Sequence, residues 1–176
     1  RDALGLSSRD IAKTFFYAFI YGAGDQKLGK ILGGGAKRGK QGRTALLSGV
    51  SGLMELTEKV KQVFRRRGHL IGLDGRKLHI RSEHSALNTL LQSAGAILMK
   101  KALILLDERL KMQYQEGDYE FVANIHDEFQ IEVKEEYAEE IAEHAAESIH
   151  RAGQYFEFGC PLSATSHIGK TWADTH

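Results

Sequence analysis

One cysteine, one proline and one tryptophan occur in 176 residues, and each scarcity narrows the reading. Cys160 has no second cysteine to pair with and no neighbour at metal-ligand spacing, so it reads as a small buried hydrophobe in a reducing compartment. Pro161 and Trp172 both fall in the last segment, 154–176, which reads as irregular with one short strand. No uninterrupted apolar run approaches the roughly 18 residues that cross a bilayer, and no apolar stretch with a cleavage site follows the charged start. The expectation is a soluble, intracellular chain without a membrane partner. It begins with Arg1, which reads as a processed or partial chain. No internal repeat or long linker is present. With 42% apolar residues the chain suffices for one hydrophobic core, or for two small subdomains sharing one.

The net charge of +1 conceals an asymmetry. Residues 1–81 hold 17 Lys and Arg against 6 Asp and Glu, whereas residues 82–176 hold 7 against 17. A basic half suits a polyanion such as nucleic acid, or consists of flexible basic loops. An acidic half suits divalent cations, or is a solvated helix surface.

Periodicity supplies the elements. Ile11, Phe15, Ala18 and Phe19 share one side of a helix over about 8–21, capped by Ser7 or Ser8. The next stretch, 22–42, interleaves eight glycines with Lys27, Lys30, Lys37, Arg38 and Lys40. Each interior glycine costs a helix about 1 kcal/mol relative to alanine, so this segment reads as a mobile basic loop with short helical pieces. A second helix is expected over about 46–66 through Leu53, Leu56, Val60 and Phe64, ending at the Arg65-Arg66-Arg67-Gly68 run. Residues 69–73 and 76–80 flank Asp74-Gly75, a dipeptide supplying positive φ angles to a tight hairpin turn. A long, largely buried helix follows over about 85–114. Alternation over 120–133 gives a second hairpin broken at His126-Asp127-Glu128, and an acidic helix over about 134–152 turns Tyr137, Ile141, Ala145 and Ser148 inward.

Three constellations carry chemistry. Arg9, Lys13, Tyr17 and Tyr21 recur every four residues and form one slanting stripe opposite the apolar face. A guanidinium fork, a point ammonium charge and two aromatic planes match the phosphates, sugar and base of a nucleoside triphosphate. Spacing alone fits an ordinary surface helix with long cations and two half-buried tyrosines better than a nucleotide site. His126-Asp127-Glu128 puts adjacent carboxylates at the bend of an apolar hairpin, where Asp127 could supply half of a magnesium site or be one more acid at a turn. Asn88 and Gln92 share a face of the long helix, with His84 one turn earlier. Their amides suit base edges in a minor groove or buried backbone groups. His144, His150 and His167 have no partners at zinc spacing and read as structural.

With these residues in view, 9–22 (RDIAKTFFYAFIYG) resembles motif B of family A DNA polymerases, the fingers helix that binds the incoming nucleotide. Ile125-His126-Asp127-Glu128 resembles motif C, the palm turn carrying one of two metal-binding aspartates. Residues 72–77 and 86–96 are similar to the replicative polymerases of T-seven type phages, and Trp172 with the terminal His176 is similar to the ending of that group. The Gly33-Gly34-Gly35 loop and the short connection 65–69 depart from the phage pattern.

The resemblance implies an α+β fold: a mostly helical fingers portion, 1–68, and part of the palm, 69–176, built of antiparallel hairpins packed with long helices. It implies template-directed nucleotidyl transfer from dNTP to a primer 3′-hydroxyl inside a bacterium or phage-infected bacterium. Arg9 and Lys13 would grip the triphosphate, Lys13 also assisting departure of pyrophosphate. Tyr17 would lie beside the sugar and Tyr21 near the templating position. His84, Asn88, Gln92, His126 and Arg76 would meet the primer-template. Asp127 would be the metal ligand and catalytic carboxylate, with Glu128 the accessory acid beside it. Motif A, with the second essential aspartate, has no counterpart here. The two magnesium ions would therefore be shared with a carboxylate outside this chain, from a second polypeptide or a missing N-terminal part. The alternatives are a non-catalytic nucleic-acid-binding module or a structural subunit of a larger replication protein.

Overall fold

The computed structural model describes residues 8–175. Six α-helices and four strands, paired as two antiparallel hairpins, give an α+β chain among these residues. It packs as two compact units, Arg1–Gln92 and Ser93–His176.

In the first unit, α1 (Arg9–Ile20) starts at Ser8, whose hydroxyl accepts from the Ile11 N–H at 3.4 Å and so satisfies one free donor of the first turn. The alternative cap, Ser7, lies outside the described residues. The buried face of α1 is Ala12, Phe15 and Phe19. Ile11, expected inside, is 41% exposed, because those three residues centre the buried face about a fifth of a turn away.

The largest departure from expectation is 22–42. Instead of a mobile loop, the segment forms α2 (Asp25–Ile31) and the beginning of α3 (Ala36–Gly49). The same glycines that weaken a helix allow these two to touch backbone to backbone. A Cβ on Gly39 would overlap the Asp25 carbonyl oxygen, and one on Gly29 would overlap that of Gly35. A Cβ on Gly42 would stand 2.9 Å from Cζ of Phe15. Phe15 and Leu28 are fully buried in the resulting core with Phe19 and Leu46. Burying two such side chains is worth about 3–6 kcal/mol, enough to offset interior glycines at about 1 kcal/mol each.

Leu46 therefore belongs to α3, not to the helix expected over 46–66. Gly52, at φ 77°, separates α3 from α4 (Leu53–Arg67), and Gly68, at φ 71°, closes α4 after its Arg65-Arg66-Arg67 turn. Leu56, expected inside, is 42% exposed; Val60, Val63 and Phe64 form the apolar edge of α4 instead. That edge packs on β1 (His69–Ile71) and β2 (Lys77–His79), where Leu70 pairs with Leu78, and on Ala86 and Leu87. The hairpin turn needs only one positive φ, at Gly75 (84°). The Gly75 N–H donates to the Gly72 carbonyl at 3.0 Å, and the Gly72 N–H donates to the Arg76 carbonyl at 2.8 Å. This is a three-residue loop with a left-handed glycine rather than a two-residue turn. Because hairpin and α4 share a core, the compact unit runs past Gly68 to Gln92.

A 3-10 turn, Glu83–Ser85, precedes α5 (Ala86–Gln113), with Ser82 and Ser85 bonding reciprocally. In the second unit α5 buries Leu98, Ala102, Leu106 and Leu110 against β3 (Tyr119–Ile125), β4 (Glu128–Val133) and α6 (Ala138–Tyr155). Other α5 side chains, Leu91 and Ile104, are at least 40% exposed, so the helix is less buried than expected. By length and composition it is apolar enough to cross a membrane. Counting unbroken apolar runs missed this because Lys100 and Lys101 interrupt the stretch. A bulge at Val122 shifts the register between Phe121–Ile131 and Ala123–Gln130. Burial pushes the Tyr114 phenol up to about 12, helped by the Glu140 carboxylate.

The inward face of α6 is Ile141, His144, Ser148 and Ala152, with Ala145 partly buried against the same core; His144 joins the inward positions expected from sequence. Beyond α6, Cys160 is exposed rather than buried; among the described residues of the tail it is Leu162 that returns to the core, against Ile149 and Ala152. Among its described residues the tail has no strand; it ends in a 3-10 turn at Trp172–Thr175.

The glycines give opposite expectations at two helical positions. Gly39→Ala is expected to lower stability by about 1–3 kcal/mol or more, as overpacking does. Gly95→Ala, where a Cβ meets nothing within 4 Å, is expected to raise it by about 1 kcal/mol. Urea unfolding of both variants checks the pair.

Candidate functional site

All four residues of the α1 stripe are solvent-exposed. Arg9 opens the helix. Among the described residues neither Arg9 nor Lys13 has an ion-pair partner. A cation in the first turn works against the helix dipole by a few tenths to about 1 kcal/mol, so Arg9 gains the helix nothing. An anion brought there would meet the guanidinium, the Lys13 ammonium and the helix N-terminus together. Toward the other end, Tyr17 and Tyr21 are 48% and 57% exposed and stack at 6.4 Å between centroids, with planes 23° apart. The surface thus changes from cationic to aromatic along roughly three turns.

Tyr21 sits at a corner built by the backbone. Gly22, at φ 76°, lets the Gly22 N–H donate to the Phe19 carbonyl and the Ala23 N–H to the Ala18 carbonyl, both at 2.9 Å. That is the glycine-terminated helix end in which two last-turn carbonyls are satisfied. Gly22 also lies against the His84 backbone: a Cβ there would stand 2.8 Å from the His84 carbonyl oxygen.

The corner therefore brings together residues far apart in sequence. Gln92 donates from Nε2 to the Tyr21 hydroxyl at 3.4 Å, and His84, on the turn before α5, is exposed beside Gly22. Gln92 is exposed and bonds a side chain, not the buried backbone group that was one option for it. Asn88 is partly buried, and among the described residues its Oδ1 has no hydrogen-bond partner. A cleft of about 370 Å³ opens next to the corner, lined by Gly22, Asp25, Arg43, Lys61, His84 and others. Arg43 and Lys61 were not identified from sequence; no local pattern links them to α1, and they come to line the same cleft as Phe19 and Ile20 only through tertiary packing.

Arg76 spends its fork within its own hairpin. Its Nε donates to Asp74 Oδ2 at 2.7 Å and its Nη2 stands 2.6 Å from the same oxygen. The Arg76 hydrogen bond holds the Asp74 carboxyl below the usual carboxylate range, and Asp74 raises Arg76 in turn.

In the second unit, the β3–β4 loop is two residues long, His126 and Asp127, between the paired Ile125 and Glu128. His126 is held at φ 53°, a conformation that a non-glycine residue adopts at a cost. Asp127 is exposed and has no hydrogen-bond or ion-pair partner among the described residues. Glu128 is half-buried and accepts from Gln130 Nε2. Among the described residues no three His, Cys, Asp or Glu side chains cluster as a metal site. The turn offers a single uncommitted carboxylate, suited to a hard cation that takes its remaining ligands elsewhere.

Residues 2–174 match the profile of DNA polymerase family A. The DNA-directed DNA polymerase of Enterobacteria phage T3 is 39% identical over 194 aligned residues, covering 99% of this chain and 27% of the phage protein. That of Escherichia phage Phieco32 is 41% identical over 186, covering 98% and 29%. The chain thus spans between a quarter and a third of the length of these curated relatives. Among solved structures, the POL domain of Pol1 from M. smegmatis, in complex with DNA primer-template and dNTP, superposes with a TM-score of 0.73 at 22% identity. The superposition covers 86% of this chain and 28% of that one, and it supports the fold.

The strained φ of the acidic turn is directly testable. His126→Val is expected to cost about 1–3 kcal/mol whereas His126→Gly costs less, as thermal unfolding of the two variants would report.

Proposed function

Since the chain belongs to DNA polymerase family A, we propose that it forms the fingers portion (1–68) and part of the palm (69–176) of a template-directed DNA polymerase. The reaction is attack of a primer 3′-hydroxyl on the α-phosphorus of a dNTP, with pyrophosphate leaving. The observation that carries this reading is the α1 stripe: two cations without partners among the described residues at a helix N-terminus, then two stacked, exposed phenols.

Arg9 and Lys13 bind the triphosphate oxygens, and Lys13 hands charge compensation to the departing pyrophosphate. Tyr17 packs beside the sugar and Tyr21 near the templating base. His84, Asn88 and Gln92 face the primer-template, a role supported by the Gln92–Tyr21 bond and by the partnerless Asn88 Oδ1. His126 meets the primer end. Arg76 reaches DNA only where it releases Asp74.

Family A polymerases use divalent metal ions. When bound, such ions stabilise the entering and leaving oxygens of phosphoryl transfer. From this chain Asp127 is the side chain that would hold them, with Glu128 beside it. Two magnesium ions would be shared with a motif A carboxylate outside this chain, which comes from another polypeptide or another part of a longer one. The enzyme works inside a bacterium or phage-infected bacterium.

Primer extension with magnesium is the test. The isolated chain is expected to make no product. In the polymerase assembled with its motif A part, Asp127→Asn is expected to slow extension on the order of a thousandfold, a loss typical of removing one electrostatic stabiliser. An unchanged rate in that variant would make Asp127 idle and favour a non-catalytic nucleic-acid-binding module.

A further inference from the structure

We propose that Arg43 is a positioning residue that fixes Tyr21 by locking the corner between α1 and α2. The proposal rests on the reading of α1 as the nucleotide-binding helix. One guanidinium makes three contacts. Its Nε donates to Asp25 Oδ1 at 2.7 Å, its Nη2 donates to the Ala23 carbonyl at 2.7 Å, and its plane lies over the Phe19 ring, 5.6 Å from the centroid. Arg43 thereby ties the last turn of α1, the linking residues and the first residue of α2 to α3. The tie is half-buried, with side chains 30% and 36% exposed. Between residues 11 and 54 Asp25 is the only acid, so the pair has no local competitor.

The position of Tyr21 depends on that corner. Tyr21 is 57% exposed; its ring stacks on Tyr17 and its hydroxyl accepts from Gln92 at 3.4 Å. Weak side-chain contacts leave the backbone to aim it. That backbone is set by the Gly22 helix end, whose outgoing carbonyl, on Ala23, is the one Arg43 holds. Arg9 and Lys13 lie two or more turns away on a helix anchored by Phe15. Loosening the corner therefore moves the aromatic end of the stripe and spares the cationic end. The consequence is poorer nucleotide selection with charge neutralisation largely retained. A lysine keeps the charge but cannot fork between a carboxylate and a carbonyl.

Single-nucleotide insertion by the assembled polymerase tests this. Arg43→Met is expected to raise the dNTP KM about tenfold, a modest share of what misplacement of a contact group can cost, and to change kcat by less than about threefold. The ratio of correct to incorrect insertion should fall, and Arg43→Lys should restore part of both. Asp25→Asn should shift KM the same way. Adding Arg43→Met to Tyr21→Ala should cost nothing further, because both act through one ring. Unchanged KM and selectivity in Arg43→Met, or effects that multiply with those of Tyr21→Ala, overturn the proposal. Should Arg43→Met fail to fold, Arg43→Lys and Asp25→Asn carry the same comparison. Amide hydrogen exchange separates the two levels. Faster exchange across 22–25 in Arg43→Met supports the lock even where the parent enzyme extends no primer, an outcome that overturns the polymerase reading alone; unchanged exchange there overturns the lock.

Discussion

Two backbone approaches, Gly39 to the Asp25 carbonyl and Gly29 to that of Gly35, set the geometry of the first unit. Because no side chain separates α2 from α3, the pair presents one apolar surface, and Phe15 and Phe19 of α1 are buried against it. Burial of that face turns the opposite face of α1 to solvent, which is why Arg9, Lys13, Tyr17 and Tyr21 remain available. The stripe is thus an indirect product of glycine packing. Its exposure is fixed by what the other side of the helix buries.

The second unit solves a different problem. Apolar side chains of β3, β4 and α6 pack on α5, and the strands must reverse in two residues, which forces His126 to positive φ. The short loop keeps Asp127 at the tip, uncommitted to any partner among the described residues. A longer loop would leave the carboxylate free to fold back on its own backbone, as Asp does in many turns. Tightness and availability go together here.

Charge is deployed differently in the two halves of the sequence. In the basic half, Arg43, Arg65 and Arg76 are spent on structure: Arg65 and Arg76 each fork onto a carboxylate, Glu83 and Asp74, and Arg43 divides its fork between the Asp25 carboxylate and the Ala23 carbonyl. Exposed pairs of this kind contribute little stability because solvent screens them, so their value lies in geometry. Arg65 ties α4 to the turn bearing His84, and Arg43 ties α1 to α3. In the acidic half, α6 carries Glu139, Glu140, Glu143 and Glu147, the last of them paired with Arg109 of α5. Bulk charge thus left open which cations would meet an anion, whereas the four-residue spacing on α1 picked out Arg9 and Lys13.

Sequence by itself determined the elements whose cause is local. The Ser8 cap, the cationic end of α4 at Gly68, the two hairpins and the α5 helix all follow from spacing and turn chemistry within a few residues. The stripe on α1 and the acidic turn were legible for the same reason, since a four-residue repeat and a break in alternation are local patterns. Tertiary structure decided what depends on distant partners. Glycines at 29, 39 and 42 signal a loop until each is seen to admit another backbone or ring. Leu56 and Cys160 look like core until no surface arrives to cover them. The joining of Tyr21 to Gln92, and of Arg43 to Ala23 and Asp25, has no trace in local sequence, because a contact between helices depends on packing that no short window encodes.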